Sequence, residues 1–237
     1  MRTGRRQASR SEPPGTGSVD RVRQPWFLAY RRGVNSPQLT PETASPAAPV
    51  EDFKTILTWR NAEATRIEQA RVQVTGDRVK AYGQIIAAAT PTSEAFCATY
   101  DLLTNDLGVT RRLSVQLVRA GGEVQISLTR DAEQTWLIQT PQGTTRGDFG
   151  GARDVDLMLS PMFNTLPIRR LGLHRTATTV ELPVVYLRLP EGVVSAETQT
   201  YTAGGDAIEI VSPVGNATIH TDEHGFVSSY SGLAERI

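Results

Sequence analysis

The chain has 237 residues and a formal net charge of zero, with 25 Lys and Arg balanced by 25 Asp and Glu. No run of 18 apolar residues is present, which excludes a transmembrane helix, and the single cysteine, Cys97, excludes an intramolecular disulfide and a metal site made of cysteines alone. No apolar segment follows the first arginines as it would in a secretory signal, so we expect a cytoplasmic protein.

The first 51 residues differ in composition from the rest of the chain. They are dense in Pro, Ser, Thr, Gly and Arg, and offer few side chains whose burial would offset the entropy of ordering the backbone. Up to residue 50 the sequence has eight arginines and only three acidic residues. This excess of positive charge is typical of a basic arm that binds nucleic acid or anionic lipid. It also fits a disordered extension, or a start codon assigned too far upstream. We predict a disordered tail over 1–51 with no specific nucleic-acid partner, and a single domain over 52–237.

Hydrophobic residues alternate with polar ones along most of the predicted domain, which is the period of a β-strand. The clearest hairpin lies over 111–131, where two alternating runs flank Ala120-Gly121-Gly122. Pro183 interrupts another alternating run, which indicates a sheet edge or a bulge there. Further strands are predicted, in chain order, over 70–87, 94–102, 135–140, 177–190, 197–213 and 215–230.

Helical signals are sparse. Residues 60–72 fit about two helical turns, and residues 160–172 fit a short helix with Ser160 as its N-cap and Pro161 at its first position. Pro167 is expected to end or kink that helix. The sequence therefore predicts a mostly β fold, a strongly bent antiparallel sheet with one or two short helices.

Two acids and two arginines lie inside the otherwise apolar segment 154–173. Alternation places Asp154 and Asp156 on one face of a strand, while Arg169 and Arg170 follow in the predicted helix. Three interpretations are open: an ion pair that fixes the segment across the core, a ligand contact, or a metal or catalytic site. Metals held by oxygen ligands need more convergent carboxylates than two, so the pattern favours the ion pair.

No other motif specifies an enzyme. His220 and His224 have an i,i+4 spacing, but they lie on a strand and its turn, where the two rings need not converge on a metal. The sequence contains neither a G-x-S-x-G nucleophile elbow nor a glycine-rich phosphate loop. We therefore expect no metal and no cofactor, and a binding protein is favoured over an enzyme.

Large aromatic residues are scattered through the predicted strands. In a bent sheet, Trp59, Tyr100 and Trp136 have positions from which they can line a concave apolar cavity for a ligand. The same residues also suit an ordinary filled core. The sequence leaves both possibilities open.

The segment 154–173 resembles the central motif of a family of bacterial proteins described as glycolipid-binding. The family pattern is close to D-[IV]-D-[IL]-x-x-[ST]-P-x-x-N-x-L-P-[IV]-R-R-L, and Asp154, Ser160-Pro161, Asn164 and Arg169-Arg170 occupy matching places. The resemblance covers about residues 53–237, and its further matches are Asp156, Leu166, Pro167, Leu171, Tyr186, Pro190, Tyr201, Asp222, Gly225, Val227, Tyr230 and Leu233. One departure lies at Asp106, which Leu107-Gly108 follows where the family tends to have an aromatic residue, so a cavity lined by that aromatic would differ in shape here.

The resemblance implies a spiral β-roll or half-barrel, similar to the lipoprotein carriers of bacterial envelopes. It implies a non-enzymatic protein that holds a glycolipid or another amphiphile, with acyl chains in an apolar concavity and a head group near its mouth. The candidate ligand-binding residues are then Trp59, Tyr100, Trp136, Asn164, Arg169, Arg170 and Tyr201. Two alternatives are an enzyme that uses the Asp154/Asp156 and Arg169/Arg170 cluster on a small anionic substrate, and an intracellular scaffold with a filled core.

Overall fold

Fifteen β-strands form one sheet in the computed structural model, which describes residues 52–237. The predicted tail over 1–51 lies outside the described residues. The first half of the sheet is a meander of eight strands in which each strand pairs with the next in antiparallel register. Its members are β1 (Phe53–Arg60), β2 (Arg66–Thr75), β3 (Arg78–Ala87), β4 (Phe96–Thr104), β5 (Thr110–Arg119), β6 (Gly122–Arg130), β7 (Trp136–Thr140) and β8 (Gly143–Gly147).

The second half of the chain begins with β9 at the end of the sheet opposite to β8, and its later strands approach β1. A short 3-10 helix (Phe149–Gly151) leads into a new edge strand, from which a second meander runs back to pair β15 with β1. Its elements are β9 (Asp154–Leu157), α1 (Pro161–Leu171), β10 (Thr178–Arg188), β11 (Val193–Gly204), β12 (Ala207–Ser212), β13 (Gly215–Thr221), β14 (Val227–Tyr230) and β15 (Ala234–Arg236). The parallel ladder between β9 and β10 requires a crossover, and α1 supplies it.

The sheet is rolled, so that strands far apart in the sheet order meet. The backbone N–H of Thr110, at the start of β5, donates to the carbonyl of Arg153 beside β9 at 3.0 Å. The indole N–H of Trp136 on β7 donates to the carbonyl of Ala152 at 2.9 Å. These contacts bring the β9 end of the sheet close to strands near its β8 end, and they confirm the prediction of a mostly β, strongly bent sheet.

Helix α1 fills the interior of the roll, and its residues from Pro161 to Ile168 are all buried. Leu166 packs in the larger of two apolar clusters, beside the inward side chains of β1 to β7, while Ile168 packs in the smaller one with residues of β11 to β14. The helix thus joins the two meanders through the core. Within residues 52–237, no helix has the length and hydropathy needed to cross a membrane.

The predicted helix over 60–72 is wrong, because most of that segment is strand β2. Its buried residues recur at every second position, from Glu68 through Ala70 and Val72, which is the period of a strand. Pairing with β1 on one side and β3 on the other outweighs the weak local helical preference.

The expectations for the second helix are partly wrong. Pro167 does not end α1, which continues to Leu171 and stops at the left-handed Gly172, because buried contacts on both sides outweigh the lost backbone bond. Ser160 occupies the N-cap position, but its hydroxyl makes no capping bond and donates to Glu68 instead. Pro183 lies one residue before β10 begins to pair with β9, which fits the predicted edge.

Candidate functional site

The connection between β9 and α1 is a sharp elbow. Leu159 has a φ of +73°, a left-handed conformation that costs free energy in a residue with a side chain and is common at functional sites. The backbone N–H of Met158 donates to Leu187 at 2.9 Å, and that of Ser160 donates to Leu157 at 3.1 Å. The first bond holds the elbow against the end of β10, and the second closes the turn within the elbow.

A buried carboxyl group on β2 binds the elbow through hydrogen bonds. Glu68 on β2 is 2% exposed, and its Oε1 accepts hydrogen bonds from the hydroxyls of Ser160 and Tyr100, each at 2.6 Å. Burial raises the pKa of Glu68 to about 7, and the two hydroxyl groups oppose that shift only in part. The carboxyl therefore titrates close to neutral pH inside the core.

This buried carboxyl predicts that the protein loses stability as the pH rises from 5 to 8. Between the ordinary pKa of 4.5 and the folded pKa of about 7, the native state holds a proton that the unfolded state has released. The stabilisation is complete below pH 4.5 and is lost as the pH rises through 7, by about 3 kcal/mol for this group. Urea unfolding at a series of pH values measures the slope, and Glu68→Gln is expected to flatten it; equal slopes in the two proteins would refute the assignment.

A second polar network lies on the other side of the elbow. The side-chain amides of Gln199 and Asn164 donate to the two oxygens of Asp156, the latter at 3.5 Å, and the Tyr201 hydroxyl donates to Gln199 Oε1 at 2.9 Å. Burial raises the pKa of Asp156 to about 7, and the bond from Gln199 opposes that shift. The donors around this carboxyl are uncharged amides, and among residues 52–237 it has no ion-pair partner.

The four charged residues predicted to act together in fact separate. The two carboxylate oxygens of Asp154 accept hydrogen bonds from Nε and Nη2 of Arg170. The side chain of Asp154 is only 6% exposed and that of Arg170 only 8%. Arg169 donates to the carbonyl of His224 and lies 4.9 Å over the ring of Phe226. Of the possible pairs between the two acids and the two arginines, the structure contains the one between Asp154 and Arg170. Adjacent helical residues point about 100° apart, and Arg170 is the one that reaches β9.

A cavity of about 330 Å³ opens beside the elbow. Its walls come from the elbow, from Tyr186 on β10, from the β12–β13 turn and from the β14–β15 turn. Asp156 is the one residue in the lining with an acidic or basic side chain. The full lining consists of residues 156–160, Asn164, Tyr186, Ser212, 214–217 and 230–233.

The predicted ligand-binding residues do not converge on this cavity. Asn164 lines it, and Tyr201 lies behind that side chain with its hydroxyl 3.5 Å from the amide oxygen. Trp59, Tyr100 and Trp136 are at most 1% exposed in the filled core, where the indole of Trp59 donates to the carbonyl of Val227 at 2.8 Å. Their side chains therefore pack as core and take no part in lining the cavity.

Several residues at the site escaped the sequence analysis. Glu68 stands at an inward position of the alternating run that ends in Val74, and a charged residue in such a place was a signal of a buried polar site. Gln199 lies on the same face of β11 as the predicted Tyr201, by the same alternation. Tyr230 matches the family pattern, but its local sequence does not indicate a cavity, because the other walls come from separate parts of the chain.

The side chains that could bind a metal are dispersed within residues 52–237. No group of three or more His, Cys, Asp and Glu side chains converges within 52–237. His220 is exposed and its Nδ1 lies 3.0 Å from the carbonyl of Asp206, while His224 packs against Phe53 with ring centroids 4.8 Å apart. The two histidines thus have separate surroundings.

Comparison with known proteins agrees with this architecture. A family described as "Putative glycolipid-binding" matches residues 56–236. A crystal structure of a DUF1089-family protein from Pseudomonas aeruginosa is similar in fold, with a TM-score of 0.59 and 24% identity over 76% of this chain and 95% of the other. No curated protein matches the sequence.

Proposed function

The chain belongs to the family described as putative glycolipid-binding, and on that premise we propose that it binds an amphiphile through the cavity beside the β9–α1 elbow. The observation that carries this proposal is a cavity of about 330 Å³ with polar and apolar walls. That volume lies at the lower end of the range of ligand sites, roughly 300–1,000 Å³. It suits the head group of an amphiphile rather than an entire lipid.

The chemistry of the walls supports a head group rich in hydroxyls. Asp156, Asn164 and Asn216 offer carboxylate and amide groups that hydrogen-bond to hydroxyls, while Leu157 and Leu159 offer apolar surface. A sugar ring has the same two characters, with hydroxyls at its edge and C–H groups on its faces. A few placed polar groups in a mostly apolar wall are the usual arrangement of a site that fixes one orientation.

Exposed apolar surface at the rim of the cavity supports the proposal that the first part of an acyl chain lies there. Val214 lines the cavity and is 60% exposed. Each methylene that such surface covers contributes about 0.8 kcal/mol. In this arrangement the acyl chain of the ligand leaves the cavity along the β12–β13 hairpin. The interior of the protein around Trp59 and Trp136 stays filled by side chains.

Binding of n-octyl β-D-glucoside tests the proposal. We expect saturable binding below the micelle concentration, measured by isothermal titration calorimetry or by chemical shifts of residues in the lining. Asn216→Trp places a large ring in the exposed wall of the cavity and is expected to abolish binding. Gln73→Trp, at an exposed position of β2 away from the cavity, is the matched control.

The outcome is decisive in either direction. Binding by the wild type and by Gln73→Trp, with loss in Asn216→Trp, supports the cavity as the site. Binding that survives in Asn216→Trp would place the amphiphile elsewhere, and no saturable binding by the wild type would overturn the proposal.

A further inference from the structure

We propose that the head group held in this cavity carries a protonated amine, which the Asp156 carboxylate binds beside Tyr186 and Tyr230. The inference rests on the proposed function and narrows it to one chemical class, an amphiphile with an amino-sugar or another ammonium-bearing head. It follows from the charge of the cavity, from the surroundings of one carboxylate and from the aromatic walls.

The carboxylate of Asp156 lacks a counter-charge from the protein. Its two described donors are the neutral amides of Gln199 and Asn164. Two residues earlier in the same strand, Asp154 has its charge balanced by Arg170 at a comparable depth. A buried carboxylate normally needs such a partner, and Asp156 differs from Asp154 in that it lines the cavity of about 330 Å³.

The charges around the cavity select against an anionic head group. Its lining contains no Arg, Lys or His to meet a phosphate or carboxylate. Arg170 is held by Asp154, and Arg169 donates to a backbone carbonyl. Arg188 lies 5.5 Å from the ring centroid of Tyr186, and it donates to Glu197 at 3.2 Å.

Two tyrosines line the cavity together with Asp156. Tyr186 is the direct register partner of Asp156 in the parallel ladder between β9 and β10, and Tyr230 lines the same cavity. Burial, and after it the charge of Asp156, raise the pKa of both phenols, so both rings stay neutral and feel that charge. Aromatic rings beside a carboxylate are a favourable setting for an ammonium group.

Four probes that share one octyl chain separate the head-group classes. They are n-octyl β-D-glucoside, its 2-amino-2-deoxy analogue, its 2-acetamido-2-deoxy analogue and n-octyl β-D-glucuronide. At about pH 7 we expect the amine to bind about tenfold more tightly than the glucoside, as a charge-assisted hydrogen bond predicts. The acetamide, which has nitrogen at the same position without the charge, is expected to bind no better than the glucoside, and the glucuronide to bind worst.

Variants assign the preference to one side chain. Asp156→Asn is expected to bring the amine and the glucoside within about threefold of each other, because the amide keeps the shape and removes the charge. Asn216→Ala, in the same wall, is the matched control and is expected to weaken all probes while it keeps their order. The comparison of amine with acetamide in the wild type tests the same point without a variant that must fold.

The failures of the two proposals are distinguishable. If no probe binds, the proposed function fails, and the amine preference fails with it. If the glucoside or the acetamide binds as tightly as the amine, the cavity takes a neutral head group and only the present inference is overturned. Tighter binding of the glucuronide would overturn it as well, since that result requires a cation in the site.

Discussion

Arg170→Ala is expected to destabilise the protein by about 3–5 kcal/mol, because it leaves the Asp154 carboxylate buried without its counter-charge. The two side chains are 6% and 8% exposed, and they meet through both Nε and Nη2 of the guanidinium. Burial already raises the pKa of Asp154, and Arg170 is the largest influence that opposes this rise. Without the arginine, the carboxyl must bind a proton or draw water into the core.

Urea unfolding at neutral pH measures this loss. Arg112→Ala is the control, because Arg112 donates to Asp101 on the surface at 3.2 Å with side chains 52% and 38% exposed. An exposed pair of this kind contributes at most about 1 kcal/mol. If the two variants lose equal stability, the pair of Asp154 and Arg170 does not fix the β9–α1 segment in the way we describe.

Gly83→Ala is expected to cost about 3 kcal/mol, although the change adds a single methyl group. A Cβ at this position of β3 would lie 2.2 Å from Cζ and 2.3 Å from the hydroxyl oxygen of Tyr100, which is the register partner of Gly83 on β4. The ring cannot retreat easily, because its hydroxyl donates to Glu68 and it packs in a T-shaped arrangement with the ring of Phe163, with centroids 5.1 Å apart. Overpacking of such a core typically costs 1–3 kcal/mol and occasionally more.

Gly204→Ala provides the matched comparison for this substitution. Gly204 is also a strand residue, the last one of β11, but a Cβ there meets no atom within 4 Å. We expect it to change the free energy of unfolding by less than about 1 kcal/mol. Thermal and urea unfolding of both variants provide the measurement, and a Gly83→Ala protein as stable as Gly204→Ala would show that Tyr100 is free to move.

The faces of the strands were predictable from the sequence, because alternation depends only on neighbouring residues. Leu113, Val115 and Leu117 are all fully buried, as the hairpin over 111–131 predicts. The order of the strands was not predictable in the same way. Nothing in the local pattern of β1 indicates that it pairs with β15, or that β9 starts again at the far end of the sheet.

The candidate site shows the same limit. The segment 154–173 was identified from its own charges, but the partners of those charges depend on the direction of α1 and on β11, which supplies Gln199. The cavity is harder still to predict, because its walls are drawn from separate turns of the second meander. Residues such as Tyr186 and Tyr230 acquire their role only when the sheet has rolled.

The pairing of β1 with β15 also bears on how this chain reaches its native state. Every other ladder in the described sheet joins strands that are consecutive along the chain. Such local pairings have low contact order and form quickly, whereas closing β1 onto β15 brings together residues as distant as Trp59 and Arg236. We therefore expect the two meanders to form first. The pairing of β1 with β15 is then expected to be the slow step of folding, which completes the rolled sheet.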